Sequence, residues 1–189
     1  MPITCQTHAE EPEGYATWFK ALWAEAGVYF LFDCADRRIT TTGMGDLHDL
    51  WLEDVAEVFI WPDESVPVYF EYCISPLGAE IPLIVPDIDG QFQPCVPHAY
   101  PRGKRTRKAT HIRGGKAAPG EAVSGWSVEF FIPSALLKPL RNAHPERGMT
   151  WRANLYRIDY DTELPVYFSW RDVGPSFHNF QEYPTIRFV

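Results

Sequence analysis

The sequence predicts an all-β chain, an antiparallel β-sandwich of jelly-roll or immunoglobulin-like type with short helical turns. Three observations predict it. The 17 Pro and 13 Gly among 189 residues interrupt the chain too often for long helices. Aromatic residues reach 15%, a composition suited to pleated, half-buried surfaces. Several short apolar or alternating segments are separated by turn residues, and no repeat of fixed period appears. A hydrophobic fraction of 46% is enough for one proper core, so residues 1–189 are expected to form a single domain.

Taken in order, the first segment is Ala16 to Ala24, where Trp18 and Leu22 have helical spacing; a helical turn is expected, closed by Gly27. Val28 to Cys34 is a nearly continuous apolar strand followed by the polar turn Asp36-Arg37-Arg38, and residues 40–50 read as a loop. Residues 51–61 read as one strand. Ala56, Val58 and Ile60 share one face, and Glu57, Phe59 and Trp61 the other, since side chains alternate with period two. Pro62-Asp63-Glu64 is a turn, and a strand over 67–75 ends at Ser75-Pro76-Leu77-Gly78, a hairpin signature. Residues 86–120, rich in Pro, Gly and bases, form either a long excursion or a pair of irregular strands.

Trp126 to Ile132 alternates clearly, with Trp126, Val128, Phe130 and Ile132 on one side, until Pro133 stops it. Ser134 caps a helical turn to Leu137. Gly148 precedes a strand from Thr150 to Asp159, and Val166 to Trp170 and Thr185 to Val189 complete the set. Trp126 and Trp151 alternate with apolar neighbours and are expected in the core.

The formal net charge of −8 argues against general nucleic-acid binding. The charge is uneven: residues 102–116 hold seven of the 17 Lys and Arg and no acid, leaving 10 bases against 25 acids elsewhere. That run is either a site for an anionic polymer or a solvated loop. No apolar run is long enough to span a bilayer, and the N-terminus lacks a basic segment followed by an apolar one, so no membrane span is expected. Cys5, Cys34, Cys73 and Cys95 show no CxxC spacing for zinc or redox work; they allow three disulfide pairings, and burial as free thiols is equally open.

Six segments in order resemble the family 9 carbohydrate-binding modules, sugar-binding relatives of the DOMON-like β-sandwiches. They are Leu22-Trp23 before the strand Val28 to Asp33; Asp36; Glu53 to Phe59; Tyr72 to Gly78; Gly125 to Pro133; and Gly148 to Arg157. Trp170, His178 and Ile186 to Phe188 extend the match. The resemblance implies non-catalytic binding of one or two sugar units of a plant-type polysaccharide or oligosaccharide between two aromatic rings. Trp51 and Trp170 match the ring positions, and Glu57 matches a carboxylate that binds hydroxyls. Tyr72, Arg152, Asn154 and Arg157 lie in segments that supply further polar contacts. Physically, the apolar C–H face of a pyranose stacks on an indole, while its hydroxyls suit carboxylate and guanidinium.

The resemblance requires no cofactor. It allows a structural calcium, for which Asp33, Asp36, Asp87, Asp89, Asp159 and Asp161 are acids of the right type, Asp33 and Asp36 being the candidate ligands. It implies an extracellular or periplasmic protein, alone or tethered to a glycoside hydrolase in a longer chain. Tyr183-Pro184 departs from the Phe-Gly pair common in the family. Two other readings stand beside it. A haem-binding DOMON-like electron-transfer domain would draw axial ligands from Met44, Met149, His98, His111 and His178. A glycosidase would need two carboxylates opposed across a cleft, Glu57 and Glu129 being the mid-strand candidates.

Overall fold

The structure, a computed structural model, describes residues 1–7, 12–100, 105–138 and 140–189. Its twelve strands are β1 (Pro2–Cys5), β2 (Thr17–Ala24), β3 (Gly27–Cys34), β4 (Val55–Trp61), β5 (Val68–Ile74), β6 (Glu80–Ile88), β7 (Gln91–Phe92), β8 (Arg107–Arg113), β9 (Gly125–Pro133), β10 (Thr150–Asp159), β11 (Val166–Ser169) and β12 (Thr185–Arg187). Every pairing is antiparallel, and helix is confined to 3-10 turns and isolated turns among the described residues.

One sheet runs β2-β3-β9-β8 and the other β7-β6-β5-β4-β10-β11, with β12 sharing an edge of β10 with β11. β1 ties the sheets together, pairing Ile3 with Thr17 of β2 and Thr4 with Ser169 of β11. The core lies between the sheets. Phe30, Phe32, Trp126, Val128 and Phe130 from one meet Ala56, Val58, Ile60, Phe70 and Leu155 from the other. Each fully buried large apolar side chain there contributes roughly 1.5–3 kcal/mol of transfer free energy. Trp126 and Trp151 are buried as expected.

Three local features differ from the expectations or go beyond them. Residues 17–24 form β2, every one paired with β3, and not a helical turn. Trp18 and Leu22, spaced by four, satisfy the strand period of two as well as the helical one, and both face solvent while Phe19 is buried. Trp51 is not on a strand: Leu50–Leu52 is a 3-10 turn, and β4 starts at Val55. Residues 80–88 form β6 despite Pro82 and Pro86.

The basic run, so far as it is described, is no free loop. It forms β8 at the edge of the first sheet, where Lys108 meets Asp46 at 3.1 Å and Glu80 at 3.4 Å, Arg113 meets Asp33 at 2.7 Å and Arg107 lies over the Phe131 ring. Arg102 and Lys104 lie outside the described residues. All four cysteines are free thiols, Cys34 and Cys73 buried. No helix among the described residues is long and apolar enough to cross a membrane.

Candidate functional site

Parity along the second sheet decides which residues can form a site. Ala56, Val58, Phe70, Tyr72, Ala153 and Leu155 point into the inter-sheet core; Glu57, Phe59, Glu71, Cys73 and Tyr156 point to the opposite face. That second face is partly covered by residues 170–184. Asn154 holds this segment in place: its Nδ2 donates to Arg171 O at 2.8 Å, and Arg171 N donates to its Oδ1 at 3.1 Å. Arg152 donates through Nη2 to Gln181 O at 2.6 Å and through Nε to Tyr183 O. Tyr183 Oη and Tyr156 Oη both donate to Phe177 O, at 2.6 and 3.2 Å.

The part of the face left uncovered is a cavity of about 840 Å3. Its floor includes Glu57, Phe59, Glu71, Val85 and Ser169; Trp51, Phe92, Tyr160, Tyr167, Phe177 and His178 stand around it. Trp51 is carried by the 3-10 turn, whose Leu50 is buried against the sheet, and Tyr160 Oη fixes the backbone by donating to Trp51 O at 2.8 Å. The neighbouring acids are structural. Glu53 accepts from Thr42 N and Oγ1 at 2.5 and 2.8 Å, and Asp54 accepts from Thr40 N at 2.6 Å and Tyr160 N at 2.8 Å. Burial pushes Asp54 up to about 9, with the charges of Asp36 and Asp159 adding to it.

Glu57 and Glu71 differ. They are 2% and 4% exposed, and they share the single S–H of Cys73, whose sulfur lies 3.3 Å from Glu57 Oε1 and 3.4 Å from Glu71 Oε1 and can donate to one of them at a time. A carboxylate oxygen of each and the sulfur all lie within 4.8 Å of one another. Burial pushes Glu57 up to about 8, helped by the charge of Glu71, and burial raises Glu71 to about 7. Ser169 Oγ, also buried on this floor, has no hydrogen-bond partner among the described residues. His178 Nδ1 is hydrogen-bonded to Tyr69 Oη at 2.5 Å, lies 4.0 Å from Glu71 and is lowered by burial, which favours its neutral form. Such a recess offers ring faces at its mouth and unfilled polar groups on its floor.

Of the residues expected in the site, Trp51 and Glu57 line the cavity, and Arg152 and Asn154 position its covering segment. Three others lie elsewhere. Tyr72 points into the inter-sheet core and donates to Glu80 at 2.6 Å. Trp170 packs edge-on against Phe19 at 5.5 Å with Arg171 over its ring, because Ser169 takes the cavity side of the strand. Arg157 is fully buried between the sheets, donating through Nη1 to Tyr15 O, Thr17 Oγ1 and Ala35 O and through Nη2 to Asp36 and Asp159 at 3.0 and 2.6 Å. A side chain so enclosed has nothing to offer a ligand. Sequence reasoning missed Glu71, Cys73, Ser169, Tyr160 and Phe177, although the period-two pattern that places Glu57 also places Glu71 and Cys73.

Of the calcium candidates, Asp33 and Asp36 do not share a site. Asp33 is exposed and paired with Arg113. Asp36, Asp159 and Asp161 do bring oxygens together, but the Arg157 guanidinium already stands among them. Asp36 Oδ1 accepts from Arg37 N and Arg38 N, and Asp159 Oδ1 from Asp161 N. These residues do not fit a calcium ion; their cation is the guanidinium.

The haem ligands do not assemble either. His98, His111 and Met44 are exposed, and Met149 packs against the inter-sheet core. His178 reaches the cavity, but no methionine among the described residues lines it. Glu129 is exposed on the first sheet, far in the topology from Glu57.

Solved structures that share the fold include two carbohydrate-binding proteins. A candidate carbohydrate-binding protein of Bacteroides uniformis aligns over 100% of this chain and 85% of its own with a TM-score of 0.77 at 17% identity. A family 9 carbohydrate-binding module of Caldicellulosiruptor kristjanssonii, solved with cellotriose, aligns over 98% of this chain and 81% of its own with a TM-score of 0.65 at 13% identity. No protein-family model matches the sequence, and no curated protein matches it. The chain therefore has the family 9 module fold, established by shape at identities where sequence is no guide.

Proposed function

We propose that this chain binds carbohydrate without transforming it, holding one or two sugar units in the 840 Å3 cavity. The observation that carries this reading is the combination of aromatic side chains around the cavity with buried, under-satisfied Glu57, Glu71 and Ser169 on its floor. A pyranose meets both needs at once: its C–H face covers an aromatic ring, and its hydroxyls donate to carboxylates that otherwise have a thiol as donor. Trp51 supplies one ring, and Phe177 takes the role expected of Trp170. The cellotriose held by the module of the same fold supports a β-linked glucan oligosaccharide as the ligand class.

Glu57 and Glu71 project side by side from adjacent strands of one sheet, whereas glycoside hydrolysis needs carboxyl groups on either side of the scissile bond. That arrangement supports binding without cleavage, and incubation with soluble glucans is expected to release no reducing ends. No cofactor is required. Such a domain acts outside the cell or in the periplasm, free or joined to a glycoside hydrolase.

Calorimetric titration of cellobiose, xylobiose and their borohydride-reduced forms tests the reading. Trp51→Ala will weaken sugar binding by about 30-fold or more, the scale of a central aromatic contact, while Trp170→Ala leaves it within about twofold. Loss of binding on reduction would assign recognition of the chain end. Silence from every sugar in the wild type would overturn the proposal.

A further inference from the structure

We propose that the preferred ligand of this cavity is an amino sugar of the glucosamine class, its ammonium group seated by Glu57 and Glu71 and its ring against Trp51. This rests on the carbohydrate reading above and sharpens it to a charged substrate class.

The chain's own treatment of buried acids points there. Seven carboxylates are buried among the described residues. Asp36 and Asp159 are met by Arg157, Glu80 by Lys108 and the Tyr72 and Tyr100 hydroxyls, Asp54 by two backbone N–H groups, and Glu53 by Thr42. Only Glu57 and Glu71 have a thiol in place of a cation, backbone N–H or hydroxyl, and they are the two that open onto the cavity. Two acids side by side in a poorly solvated site either keep their protons or take a positive partner.

The cavity supplies none. Among its described lining residues the acids are Glu57, Glu71 and Asp172, no Lys or Arg is present, and His178 is pushed toward its neutral form by burial. A neutral sugar meets the two acids in their protonated form; an ammonium group gives them the counter-charge that lets them ionise, in charge-assisted bonds shorter and stronger than those of a hydroxyl. Trp51 and Phe177 add faces that attract a cation as well as a C–H surface. Ser169 Oγ, buried on the same floor with no partner among the described residues, remains to accept from or donate to a ring hydroxyl. The recess, of about 840 Å3 and walled by aromatic side chains, has room for a sugar ring.

The test uses three disaccharides of one β-1,4 glucan skeleton that differ only at C2: the fully deacetylated glucosamine dimer, its N-acetylated form and cellobiose. They are titrated at pH 6, where the ligand amine is protonated. The ammonium dimer is expected to bind at least about tenfold more tightly than cellobiose. Glu57→Gln and Glu71→Gln, nearly isosteric, should each erase most of that preference while cellobiose affinity falls less; thermal melts confirm that the variants fold.

Cellobiose binding equal to or tighter than the ammonium dimer overturns this inference and leaves the carbohydrate reading in place. Failure of all three disaccharides removes both. A Zn2+ titration that saturates the wild type and blocks every disaccharide would assign the acids to a metal and also overturn it.

Discussion

Two acidic clusters sit on opposite faces of the same sheet, one register position apart: Arg157 pairs with Ala56 and Tyr156 with Glu57. On the inner face, Asp36 and Asp159 close around Arg157, with Trp126 Nε1 and backbone N–H groups taking further lone pairs. On the outer face, Glu57 and Glu71 share one thiol beside an open cavity. Burial raises Asp36 against the pull of Arg157, yet that cluster has its counter-charge built in. The outer cluster has none. A buried charge satisfied from within is architecture; one left unsatisfied toward a cavity is a place for something else.

The largest effect should come from breaking the inner cluster. Arg157→Leu strands two carboxylates between the sheets and is expected to cost about 3–5 kcal/mol in urea unfolding. The next lies at the anchor of the segment over the outer face. Asn154→Ala leaves the Arg171 N–H and C=O without their partner, a loss of about 1–3 kcal/mol, and loosens the segment over the cavity, so sugar affinity should fall too.

The outer cluster should respond with the opposite sign. Glu57 and Glu71 are raised to about 8 and about 7, so the folded state holds their protons more tightly than the unfolded state does. Their ionisation therefore lowers stability as pH climbs from about 4.5 through 8. Glu57→Gln escapes that slope: it should stabilise the ligand-free protein by on the order of 2 kcal/mol at pH 8, with the gain gone by pH 5, as read by thermal melts at both pH values. The same substitution should weaken sugar binding, a trade of stability for function absent from the inner cluster. The smallest effect is expected from a chelator: with Arg157 as the resident cation, EDTA should shift Tm by no more than about 1 °C.

The sandwich was legible because the strands that build it alternate plainly. Trp126, Val128, Phe130 and Ile132 declare an inward face, and so do Ala56, Val58 and Ile60. β2 was not, because Trp18 and Leu22 are spaced by four, a separation common to strand and helix, and because both are exposed and report no core. β6 was masked by its prolines.

In the site, Trp51 and Glu57 were readable through the family pattern. Arg157 and Trp170 were not, although parity holds the answer: Trp151, Ala153 and Leu155 are apolar and face inward, which puts Arg157 inward two residues later. Phe177 depends on a loop pinned by Asn154, Tyr156 and Tyr183, a tertiary arrangement without local signature.

The most direct test is a crystal structure of the protein soaked with cello-oligosaccharide and, separately, with the glucosamine dimer. A pyranose ring against Trp51 with its polar groups on Glu57 and Glu71 is the predicted result. A ring seated elsewhere, as on the exposed Trp18 and Leu22 face of β2, with the cavity unoccupied, would contradict it.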